Sequence, residues 1–146
     1  PDVQGDLAHA DPNVFLAFTR ACARSIPTGL LVQLHGFSRD KRAGEARSAR
    51  FIISQGHDSP GQSLVQFGSC LQHTLSYDVF VYPLDVDELG GTTNVTGRVL
   101  RSFGHDGFIH LEMSKDLRDL LKKDPDFRAR LAACLLVGST NSPTGE

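Results

Sequence analysis

The amino-acid sequence predicts an α/β domain, a three-layer αβα sandwich built around a mostly parallel or mixed sheet. Two observations carry this. Four short apolar runs of strand length, residues 30–34, 51–54, 79–82 and 108–113, alternate with segments whose apolar residues recur at helical spacing, which is the pattern of strands joined by crossover helices. The chain is also one domain long, 146 residues with 40% apolar and 22% charged side chains, so it can bury a core and still cover it.

Taken in order, Asp11-Pro12-Asn13 is a helix-start signal, because Pro is favoured in a first turn. Val14, Phe15, Phe18, Ala21 and Cys22 then recur on one face, predicting a helix to about Ser25 with those residues as its apolar stripe. Pro27, Thr28 and Gly29 break it. Leu30-Leu31-Val32-Gln33-Leu34 is nearly all apolar, as in a central strand covered on both faces, and it stops at His35-Gly36. Residues 38–50 are charged and small and read as an exposed loop or mobile flap. Residues 51–54 form the second strand, closed by the turn cluster Gln55-Gly56-His57-Asp58-Ser59-Pro60. Leu64, Val65, Phe67, Cys70, Leu71 and Leu75 mark the next helix, and residues 79–82 the third strand, which Pro83 ends. Residues 84–97 read as a loop around Gly90-Gly91. Residues 108–113 are the fourth strand, after which Ser114 caps a helix to about Leu121. Asp124-Pro125 opens the last helix, with Phe127, Leu131, Cys134 and Leu135 on one face. One domain is expected over residues 1–137, with a disordered polar tail over 138–146.

The net charge of −2 leaves no basic surface for nucleic acid or an anionic membrane. No apolar stretch approaches the roughly 18 residues that span a bilayer, so a soluble protein is expected, cytoplasmic or secreted. The chain begins with Pro1 rather than Met, the mark of a processed chain or a piece of a longer one. Cys22, Cys70 and Cys134 make no metal-finger spacing; three buried thiols are expected, one disulfide with a thiol left over being the alternative. Asn94-Val95-Thr96 fits the glycan acceptor triplet, which has meaning only in a secreted eukaryotic protein. No Gly-x-Ser-x-Gly elbow, phosphate loop or dinucleotide fingerprint occurs.

Two residues carry the candidate chemistry. In sheets of this kind, ligand sites gather beyond the carboxyl ends of the strands, and His35 and Glu112 stand near two such ends. A zinc hydrolase needs imidazole or carboxylate ligands and a separate carboxylate that takes the proton of the attacking water. Glu112, between Leu111 and Met113, is costly to bury without a partner. His110 alternates with Glu112 and so shares its face. The plainer reading leaves His35 a hydrogen-bonded strand end and Glu112 a solvated acid.

The succession LVQLHGF, then ISQG, then GTTNVTGRVL, then GFIHLEMSKDLRDLL, over roughly residues 6 to 122, resembles the zinc-dependent amidohydrolases that group N-formylglutamate amidohydrolase and poly-γ-glutamate hydrolase with the zinc carboxypeptidases. In that group a strand ending in His and then Gly or Ser supplies the last zinc ligand. A later strand of the form apolar-Glu-apolar-Ser/Asn, followed by a Leu-Arg helix, supplies the catalytic glutamate. The resemblance therefore implies zinc held by His35, with Glu112 as general base, in an enzyme cutting an amide bond next to a carboxylate. Substrate carboxylates are suited to the planar guanidinium. Arg98, four residues after Asn94, is the first choice for that contact, since the carboxypeptidases use an Asn and an Arg, and Arg118 is the second. The chain departs from the group in lacking an upstream HxxE. Asp6 and His9 are the upstream pair of ligand types, and one helical turn would bring them together. Otherwise the missing ligands belong to an upstream segment of the same protein, or the chain is a non-catalytic binding or regulatory module on a degenerate hydrolase scaffold.

Overall fold

The computed structural model describes residues 13–139, so Asp6 and His9 lie outside the described residues. Helix α1 (Val14–Ser25) starts where the Asn13 side chain accepts the Leu16 amide at 2.8 Å. Its buried residues are Leu16, Thr19 and Ala23, and the predicted stripe faces outward, with Val14, Phe15 and Phe18 at 74%, 58% and 66% exposure. The helix is apolar on two sides, and the side with small residues packs against α4 (Val95–Ser102), where Ala23 meets Leu100.

The sheet comprises β1 (Leu31–Phe37), β2 (Phe51–Ser54), β3 (Val79–Val81) and β4 (Phe108–Ser114), in the order β1-β4-β2-β3. β1 runs parallel to β4 and β2 parallel to β3, while β4 and β2 are antiparallel. The sheet is thus mixed and mostly parallel, as expected. The expected central position of the first strand is corrected: among the described residues β1 lies at an edge, and Leu34 is 53% exposed. β2 and β4 are buried along their whole length, β4 despite its two titratable residues. An apolar run reports that a surface is covered somewhere in the protein, not which neighbour covers it.

The remaining helices are α2 (Gly44–Ser48), α3 (Gln62–Leu75), α5 (Lys115–Lys123) and α6 (Pro125–Ser139). Alternation along the strands divides the core between two faces. Phe51, Ile53, Ile109, Leu111 and Met113 pack with Phe67 and Leu71 of α3, Leu117 of α5, and Phe127 and Leu131 of α6. On the opposite face Ile52 joins Phe37, Ala46, Ala49 and Val86, and Phe108 joins Ala23 and Leu100. Helices therefore cover both faces, giving the three layers.

Four local expectations are corrected. The segment 38–50 holds a short 3-10 turn and α2, and it is anchored by buried Ala46 and Ala49, whose small size made it look too polar to pack. Residues 84–97 end in a helix, because Asn94 accepts the Thr96 amide and starts α4. α6 continues through Ser139, past the predicted start of the tail. Cys70 and Cys134 form a disulfide between α3 and α6, leaving Cys22 free, so the alternative cysteine reading holds. No described helix is long and apolar enough to cross a membrane.

Candidate functional site

Strand register builds the site. His35 on β1 lies opposite Glu112 on β4, and Gln33 opposite His110. From the other side of β4, Ser54 of β2 lies opposite His110. Because strand side chains alternate, Gln33, His35, Ser54, His110 and Glu112 all emerge on the face covered by α1 and α4. The two residues singled out from sequence are therefore neighbours, near the shared carboxyl rim of two parallel strands.

The side chains form a continuous group. The His35 and His110 rings stand 4.5 Å apart between centroids, tilted by 37°. His110 Nε2 lies 3.3 Å from Glu112 Oε1. Both residues are buried, with 4% exposure for His110 and 8% for Glu112. Glu112 Oε2 and His110 Nδ1 find no hydrogen-bond partner among the described residues, nor does Ser114 Oγ at the end of the same strand face. Ser114 occupies the start of α5 without a capping hydrogen bond from its side chain, contrary to expectation.

The loop before α4 closes over this group. Ser54 Oγ donates to the Gly90 carbonyl and accepts from the Gly56 amide. Gly91, at φ +60°, lies so close to His110 that a Cβ there would stand 2.8 Å from the ring's Cγ. That backbone conformation is one that glycine adopts without strain. Asn94 is engaged at both ends of its amide: Nδ2 donates to Gln33 Oε1 at 2.5 Å, and Oδ1 accepts the Thr96 amide at 2.9 Å.

The other sequence candidates lie apart from this cluster. Arg98 is exposed on α4, whose buried side carries Val95, Thr96, Gly97 and Leu100. Arg118 of α5 lies so closely over Gly36 that a Cβ there would clash with its Nε, and that Nε is buried without a hydrogen-bond partner among the described residues. Gly36 alternates with His35, so Arg118 approaches β1 from the opposite face at the same rim. Gln33 and Ser54 were not anticipated. The one polar residue in an otherwise apolar run was the available signal for Gln33; Ser54 had none, since its partner lies across the sheet.

Among the described residues no group of three or more His, Cys, Asp or Glu side chains is arranged to hold a metal ion. The described residues thus bring His35, the ligand expected from sequence, into no such group. A shallow groove of about 820 Å³, between α2 and residues 83–88, is lined by none of the cluster. No family model, no curated protein and no solved structure matches the chain.

Proposed function

We propose that the chain carries the catalytic rim of a zinc-dependent hydrolase that cuts an amide bond next to a carboxylate, in an N-acyl amino acid, a γ-glutamyl chain or a peptide. The observation that supports this reading is the register setting His35 beside Glu112 on one buried sheet face. His35 is the metal ligand that this chain contributes. Further donors come from outside residues 13–139, either Asp6 and His9 or an upstream segment of the same protein. Zinc, when bound, polarises the scissile carbonyl and makes water a better nucleophile. Glu112 takes the proton of the attacking water and returns it to the leaving amine, and Oε2, which has no partner among the described residues, is the oxygen free to do so. Arg98 receives the substrate carboxylate, with Arg118 as the second candidate. Asn94 serves the same end of the site by fixing the start of α4.

The test uses the full-length protein, with N-formyl-L-glutamate and short γ-glutamyl oligomers as probes. The expected result is about one zinc per chain, lost in His35→Ala. Glu112→Gln should keep the metal and lose roughly 10²–10⁴-fold in kcat, the usual worth of a general base. A Glu112→Gln variant with full hydrolytic rate removes Glu112 from the reaction. A full-length chain that holds no zinc and cleaves neither probe is a binding module on a degenerate scaffold instead.

A further inference from the structure

We infer that His110 is the positioning residue of Glu112: its Nε2–H holds Oε1, so that Oε2 alone is presented to the reacting atoms. The inference rests on the hydrolase reading above and deepens it. A carboxylate at 8% exposure, in a strand buried along its full length, is costly to hold there without a donor beside it. Nε2 of His110, two residues earlier on the same strand face, stands 3.3 Å from Oε1. Such contacts are often long in an unliganded enzyme and shorten in the substrate complex.

The geometry also keeps the imidazole from turning away. One side of the ring meets the His35 ring at 4.5 Å. Another meets the Gly91 backbone, which comes too close to admit even a methyl group. Ladder partners on both flanks, Gln33 on β1 and Ser54 on β2, fix the backbone beneath it. A carboxylate otherwise rotates broadly about its last bond. Anchored at Oε1, it offers one defined oxygen, and the stacked ring ties that orientation to the position of His35.

Two substitutions of similar size separate this role from mere filling. In His110→Gln the amide nitrogen stands about as far along the side chain as Nε2 and can still donate to Oε1; in His110→Asn it cannot reach. With N-formyl-L-glutamate as probe and the full-length protein, His110→Asn should lose about 10–100-fold in kcat, the usual cost of removing an orienting partner. KM should be little changed, and His110→Gln should recover most of the rate. Equal losses in the two variants, or a loss confined to KM, would overturn the inference. A second readout needs no turnover: imidazole ¹⁵N spectra should find Nε2 of His110 protonated, with a resonance that moves in Glu112→Gln. An unprotonated Nε2, or one indifferent to that substitution, also overturns it. Failure of the hydrolase reading shows separately, as a wild-type protein without zinc or turnover.

Discussion

Glu112 has Leu111 and Met113 as chain neighbours, yet both pack into the layer of α3, α5 and α6 on the far side of the sheet. What surrounds the carboxylate is set by the period of two, which puts His110 on its face and His35 across the ladder. That much was legible in the spacing of three residues. The close approach of Gly91 was not, because nothing local in Gly90-Gly91-Thr92 says which ring the turn will touch. The contact nevertheless makes a sharp prediction. Gly91→Ala combines an unfavourable φ of +60° with a Cβ 2.8 Å from the His110 ring, so it should destabilise the fold by about 1–3 kcal/mol. Urea denaturation would measure this, and an unchanged midpoint would mean that the loop moves aside without cost.

The elements divide by how much of their environment lies in their own sequence. β2 and β4 were found at nearly their full extent because an apolar run bounded by turn residues is a local property. The outward stripe of α1 and the edge position of β1 were misread, since both depend on which side a distant element covers. α4 was hidden by Thr96, Gly97 and Val99, poor helix formers, although the Asn94 cap was a usable sign. The pairing of α3 with α6 was open until Cys70 and Cys134 came together across a separation of 64 residues. A bridge closing so long a loop should contribute roughly 2–4 kcal/mol, mainly by restricting the unfolded chain. Denaturation with and without reductant should differ by that amount, and the Cys134→Ser variant should lose the dependence on reductant. Equal curves for the oxidised wild-type protein and the variant would deny the bridge a stabilising part.

For the molecule as a whole, the layers were readable from alternation, whereas the strand order required pairings that one sequence does not encode locally. Placing β1 at the edge of the described sheet leaves Leu34 at 53% exposure on a strand whose outer side pairs with no other strand among the described residues. An exposed apolar edge strand favours association, and a lysine there opposes it. Leu34→Lys should therefore lower the light scattering of concentrated solutions of this chain while leaving its thermal midpoint close to wild type. Unaltered scattering would show that the edge does not govern association. The engagement of Asn94 has a consequence for the history of the chain. Its amide lies at 3% exposure and is bonded at both ends, so an enzyme that attaches sugars cannot reach it once α4 has closed on the sheet. Any oligosaccharide recovered there would date its attachment to the interval before folding, and mass spectrometry of that one peptide would read which event came first.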